Sequence, residues 1–170
     1  MRPDFRQLML VMPLLLTVPV HGAAEPAAPA PIQIEADRAE ITEQSGVSVY
    51  SGRVSLKQGD LEMEGERLEI RRDRKTGDIL AVLSGKPAVL RQPTDTGEMV
   101  NARAERIDYN SSSRSLDLQG GAEFVRGRDR VSGQSIRYDA NAKKLLATGP
   151  SSGGGRVQIT IQPEQTDPGQ

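Results

Sequence analysis

The feature that most constrains this chain is an alternation that slips by one residue in mid-strand and then recurs. In Val100–Tyr109, V-N-A-R-A-E-R-I-D-Y, apolar or small side chains fall at Val100, Ala102 and Ala104, and then at Ile107 and Tyr109. A period of two is that of a β-strand with one buried face. A one-residue slip would turn the remainder inside out unless a β-bulge absorbs the extra residue. The stretch therefore reads as one long bulged strand.

The pattern occurs three more times: I-E-A-D-R-A-E-I at Ile34–Ile41, M-E-G-E-R-L-E-I at Met63–Ile70 and V-S-G-Q-S-I-R-Y at Val131–Tyr138. With the small residue as marker, the copies sit at Ala36, Gly65, Ala104 and Gly133, so the first pair maps onto the second with a shift of 68 residues. Gly52 and Gly120 obey the same shift, as do Val54 with Ala122 and Leu56 with Phe124. A fixed period carried by buried positions marks stacked supersecondary units.

Strand candidates follow one another almost without pause: 32–41, 47–50, 52–58, 60–71, 78–83, 85–92, 98–109, 115–119, 121–126, 128–139, 144–148 and 156–162. Turn residues separate them, among them Gln44-Ser45-Gly46, Lys75-Thr76-Gly77-Asp78 and Asn110 to Ser113. No helical period persists beyond a turn or two, so the fold is all-β. Each unit reads as a long bulged strand, a turn, a short strand ending in glycine (Gly52, Gly85, Gly120, Gly149) and another strand. Stacking such units gives two facing sheets with a V- or roll-like cross-section. Besides the candidate site residues given below, Val49, Leu61, Val100 and Leu118 share the inward phase.

Before that domain, Arg2 and Arg6 precede an apolar run from Leu8 to Val20 and small residues at Gly22 to Ala24. This is the plan of a cleavable secretory signal, expected over 1–24, and the run is short of the ~20 residues a membrane helix needs. An extended Ala/Pro linker is expected over 25–31, one β-domain over 32–162 and a flexible tail over 163–170. The chain has no cysteine, so no disulfide holds the domain together. Without the signal it carries 20 basic and 22 acidic side chains. That balance argues against nucleic acid as a partner.

The same composition narrows the chemistry. The single histidine, His21, lies in the signal segment, so the mature domain has no imidazole base, no thiol nucleophile and neither a histidine nor a cysteine as metal ligand. Asp37, Glu40, Glu64, Glu66, Glu69, Glu105 and Asp108 fall on the outward phase of their strands, where acidic residues alternating with arginine serve cross-strand pairing. The basic runs Arg71–Lys75 and Arg126, Arg128, Arg130 read as solvated turns. No catalytic residue, metal site or cofactor is expected, and the chain is not read as an enzyme.

Only four aromatic rings remain in the mature chain: Tyr50, Tyr109, Phe124 and Tyr138. Aromatic side chains ordinarily supply much of a core's buried area, ~150–250 Å² each. An interior of Ile, Leu, Val and Ala either leaves a groove unfilled or closes as a thin aliphatic core, and composition leaves both open.

Three segments carry a family resemblance: I-Q-I-E-A-D-R-A-E-I (Ile32–Ile41), Tyr50-Ser51-Gly52-Arg53-Val54 and Gly85-Lys86-Pro87-Ala88-Val89-Leu90. With A-x-R-I-D-Y and Gly120-Gly121-Ala122-Glu123 they form an ordered series over about 32–149. The chain resembles the LptA/OstA-like family of periplasmic lipopolysaccharide-transport proteins. The resemblance implies a β-jellyroll of stacked antiparallel strands, open at both ends, whose apolar groove shields the acyl chains of lipid A. It further implies a periplasmic location and a part in outer-membrane assembly. The implied partners are lipopolysaccharide and components of the transport machinery at the inner and outer membranes that share the fold.

Family lipid contacts match Ile32, Ile34, Leu90 and Tyr109. Leu90 stands where an aromatic ring is common, which implies a groove widened at that point. Alternation adds Ile41, Val54, Leu56, Met63, Leu68, Ile70, Ile107, Leu116, Phe124, Ile136 and Tyr138 to the expected lipid-binding set. Two readings stand at this point: a lipid-carrying bridge, and a structural or adaptor β-repeat protein with a filled core and no lipid cargo. The end segments, Ile32–Ile41 and Arg156–Gln162, have no repeat beyond them, so head-to-tail self-association through unpaired edges is expected.

Overall fold

The computed structural model describes residues 30–94, 96–151 and 155–163. The expected signal segment, most of the linker, Gly153 and Gly154 and the tail beyond Pro163 lie outside the described residues. Ten strands lie among the described residues: β1 Ile32–Glu35, β2 Arg38–Thr42, β3 Val47–Gln58, β4 Leu61–Arg72, β5 Ile79–Pro93, β6 Met99–Asn110, β7 Ser115–Arg126, β8 Asp129–Asp139, β9 Lys144–Thr148 and β10 Gln158–Thr160. From β3 to β8 each strand pairs antiparallel with the next in sequence. The two ends of the stack are split: β1 and β2 both pair with β3, and β9 and β10 both pair with β8. The sheet is open, and the architecture is the OstA-like β-jellyroll expected from the resemblance.

The register breaks once in each of the five long pairings, after Ser51, Glu64, Ser84, Arg103 and Gln119 of the leading strand. Those breaks lie side by side and divide the stack into two arms. The first arm holds β2, β9 and the long-strand segments next to them in register, such as 67–72 and 106–110. The second holds β1, β10 and the other halves, such as 54–58 and 122–126. Bulges bend strands and raise their twist, so the arms turn toward each other. Phe124 of the second arm meets Tyr138 of the first with ring centroids 5.0 Å apart.

Cross-strand partners share a face, so the register gives the interior directly. One ladder of the first arm runs Tyr50, Leu68, Leu83, Ile107, Leu118, Ile136, Ala147. Its counterpart in the second arm runs Ile34, Leu56, Met63, Leu90, Ala102, Phe124, Val131. Leu68, Leu83 and Ile107 are wholly buried, and no polar or charged side chain among the described residues is buried with them. Each such aliphatic side chain contributes about 1.5–3 kcal/mol by leaving water.

The repeat is structural as well as textual. β3 begins at Val47 and β7 at Ser115, 68 residues on; β4 begins at Leu61 and β8 at Asp129, again 68 on. Gly52 (φ 79°) and Gly120 (φ 81°) occupy equivalent corners. A Cβ on Gly52 would collide with the Asp37 carboxylate, and one on Gly120 would lie 2.6 Å from that of Glu105. Asp37 and Glu105 are themselves 68 residues apart, so the acidic residue of the bulged motif covers the glycine of the next strand.

Four expectations are corrected. Segments 47–50 with 52–58, 78–83 with 85–92 and 115–119 with 121–126 are continuous strands bent at their glycines, because the bulge lets pairing resume beyond the corner. Conversely, 32–41 breaks at Ala36-Asp37 into β1 and β2, where the Asp37 N–H donates to Gly52 O at 2.9 Å. The last strand is shorter than 156–162, covering only 158–160. Val49 faces outward, opposite Glu69, and Tyr50 takes the inward place opposite Leu68.

Candidate functional site

The sequence-expected residues fall into three groups. Val54, Leu56, Met63, Leu68, Leu90, Ile107, Leu116, Phe124 and Ile136 are buried in one cluster, with Ile32, Ile34, Ile70, Tyr109 and Tyr138 half-buried against it. Ile41 belongs to the inward register, opposite Ser48 and in line with Ile70, but is 64 % exposed because no strand among the described residues lies beyond β2. Leu90 is 1 % exposed against Met63 and Ala102. The replacement of a ring there is therefore absorbed by packing and leaves no widening. Along the bulge line the interior is a closed aliphatic core.

Away from the bulge line the two arms separate. Between their turn-bearing lips lies a cleft of about 410 Å³, at the level of β5 to β8. Val100 and Leu116 line its apolar part with Tyr109 and Tyr138. Gln92 to Thr94, Thr96 and Glu98 border it on the second arm, and Arg114, Ala140 and Lys143 on the first. Arg126 enters from the second arm and pairs with Glu98 at 3.6 Å. Ligand sites commonly measure ~300–1,000 Å³, so the cleft is of ligand-site size. Of the expected set, the structure brings Tyr109, Leu116 and Tyr138 to this cleft.

Alternation could not reveal Arg114, Arg126 and Lys143, since it reports faces of strands and not which turns confront each other across a V. A signal was present in the turns themselves: aligned on Asp73 to Gly77, the segments Asn110 to Arg114 and Asp139 to Lys143 end on a cation where glycine stands.

The outer faces of the described residues carry ion pairs. Arg130 reaches Glu123 at 2.7 Å, Arg71 reaches Glu69 at 2.7 Å and Arg91 reaches Glu64 at 3.3 Å. Exposed pairs of this kind contribute about 0–1 kcal/mol each. The hydrogen bond from Arg71 holds the Glu69 carboxyl below its ordinary range, and that from Arg53 does the same for Asp37. These carboxylates stay ionised as partners of arginines. No group of three or more metal-ligating side chains occurs among the described residues.

Comparisons with known proteins agree with this geometry. Residues 33–144 match the family model described as LptA/(LptD N-terminal domain) LPS transport protein. The chain is 31 % identical over 142 residues to the lipopolysaccharide export system protein LptH of Pseudomonas aeruginosa, covering 79 % of this chain and 81 % of that protein. It is 27 % identical to the lipopolysaccharide export system protein LptA of Escherichia coli K12, covering 79 % and 72 % respectively. Among solved structures, LptH, described as the LptA homologous periplasmic component of the lipopolysaccharide transport device of P. aeruginosa, superposes with a TM-score of 0.70 at 28 % identity. That match covers 79 % of this chain and 96 % of the other. The chain belongs to the LptA/(LptD N-terminal domain) family of lipopolysaccharide transport proteins.

Proposed function

We propose that this chain is a periplasmic lipopolysaccharide-binding protein, not an enzyme, that carries lipopolysaccharide between the inner and outer membranes. The observation that carries the reading is the interior: two apolar faces with no buried polar side chain among the described residues, opening along one lip into the cleft. Acyl chains gain by leaving water for such a surface. Sugars and phosphates remain outside it, because an unpaired polar group in that interior is costly.

On this reading the acyl chains occupy the space between the arms. They enter against Tyr109, Leu116 and Tyr138 and extend toward the ladder of Leu56, Met63, Leu90 and Phe124. Ile32, Ile34 and Ile41 at one end, and the apolar face of β10 at the other, continue the track to the next protein. Partners sharing the fold, and further copies of this chain, would pair with the split edges, whose outer backbone groups have no strand beyond them among the described residues.

Titration of the purified chain with a fluorescent lipid A analogue tests the reading. Saturable binding is expected. Ile34→Asp and Tyr138→Asp, both at half-buried sites that tolerate substitution better than Leu68, should weaken it at least tenfold while circular dichroism stays β-type. Absence of saturable binding by the folded wild-type chain would leave the structural-adaptor reading in its place.

A further inference from the structure

Four turns join the hairpins along the first arm's lip: Thr42–Gly46, Asp73–Gly77, Asn110–Arg114 and Asp139–Lys143. They are built alike. Asp73 Oδ1 accepts from the backbone N–H groups of Lys75 and Thr76, Asn110 Oδ1 from those of Ser112 and Ser113, and Asp139 Oδ1 from that of Ala142. In every turn the fifth residue is left-handed: Gly46 at φ 66°, Gly77 at 79°, Arg114 at 50° and Lys143 at 50°. Glycine adopts that conformation without steric cost, whereas a residue with a Cβ does not.

The strained substitutions occur at the two turns that border the cleft; Gly46 and Gly77 do not line it. The two cationic turns are also fastened together. Ala140 N–H donates to Arg114 O at 3.0 Å, and Asn141 Nδ2 donates to Ser113 O at 3.0 Å. Lys143 has no ion pair among the described residues. Across the cleft stands Arg126, whose partner Glu98 is the one described carboxylate lining it. Strained side chains that the rest of the turn would not require point to a functional demand.

We infer that Arg114 and Lys143, with Arg126 opposite, form a clamp for the phosphoryl groups of the bound amphiphile, whose acyl chains lie on Val100, Tyr109, Leu116 and Tyr138. The inference rests on the lipid-binding reading above and adds to it the position and chemistry of the headgroup. A guanidinium offers paired donors to phosphate oxygens and an ammonium a compact charge. The apolar wall beside them receives the chains attached to that phosphate. Arg114 leads into β7 and Lys143 into β9, two strands further on, so at ~4.8 Å per strand their backbones stand about 10 Å apart along the stack.

The test uses the full mature chain and three probes: bis-phosphorylated lipid A, the same lipid with both phosphates removed, and inorganic phosphate. The wild-type chain should bind the phosphorylated lipid at least tenfold more tightly than the dephosphorylated one. In Arg114→Gly/Lys143→Gly that preference should vanish while affinity for the dephosphorylated lipid is kept. Its melting temperature should be equal or higher, because glycine relaxes the turns. Arg114→Gln/Lys143→Gln, which leaves the backbone preference closer to wild type, should lose the preference equally. Lys57→Gln/Arg67→Gln removes two cations from the outer face and should keep it.

A preference that survives both clamp variants overturns the inference, as does its loss in the outer-face control, which would reduce it to net charge. Inorganic phosphate that competes at micromolar concentration overturns the assignment to a lipid-borne phosphate. Equal binding of the two lipids by the wild-type chain overturns the clamp alone, and binding of neither overturns the clamp together with the reading beneath it.

Discussion

Gly120 and Gly77 share a left-handed backbone, at φ 81° and 79°, but differ in what surrounds them. A Cβ on Gly120 would lie 2.6–2.8 Å from the Glu105 side chain, including its Cβ, while one on Gly77 would meet nothing within 4 Å. Gly77→Ala should therefore cost only the backbone term, about 1–2 kcal/mol. Gly120→Ala should cost at least about 1 kcal/mol more, because the corner and the strand covering it must shift. Urea denaturation of the two variants measures the difference. Equal losses would show that Glu105 swings aside freely and that the covered-glycine corner is not a packing constraint. The repeat spacing of 68 residues brought Gly52 and Gly120 into view from the sequence, but not their partners. Asp37 and Glu105 alternate as surface residues do, and only the stacked register lays each over the glycine of its neighbour.

At the scale of elements, the bulged strand was the readable unit. Val100, Ala102, Ala104 and Ile107 are buried on one face with the register break between Arg103 and Arg106, where the slip in alternation falls. Alternation was silent on small residues that pack as well as large ones, such as Ala81 and Ala88, which are buried inside the same core. It also misassigned Val49, because Val47 to Ser51 carries no charge to mark an outer face. The cleft was not readable at all, since it arises from two lips distant in sequence.

The split ends offer a prediction of their own. β1 with β2 and β9 with β10 each present an edge with no strand beyond it among the described residues, and Ile41 and Ile159 are 64 % and 60 % exposed on those edges. Unlike edges that pair head to tail build open filaments. Sedimentation over a wide concentration range should show association of the mature chain and its loss on truncation after Gly149, which removes β10. Two species that remain equally monomeric at high concentration would leave the edges without a role in assembly.

The whole molecule is a stack whose outer faces carry the ion pairs and whose inner faces meet in an apolar core that includes Phe124, with Tyr50, Tyr109 and Tyr138 half-buried against it. A folded chain could use such an interior only as a core, and along the bulge line it does. What distinguishes it is that the arms part toward the lips, leaving an apolar wall bordered by cations where a core would have been sealed. Membership in a lipopolysaccharide transport family gives that opening its reading. The most direct measurement is site-specific photo-crosslinking of the full-length chain expressed in a lipopolysaccharide-producing bacterium. A photoreactive side chain would be placed at Tyr109, Leu116 or Tyr138 on the inner face, and at Val82 or Glu123 on the outer face. The account predicts lipopolysaccharide adducts from the inner positions and none from the outer ones. Adducts absent from the inner positions, or formed equally on both faces, would contradict it.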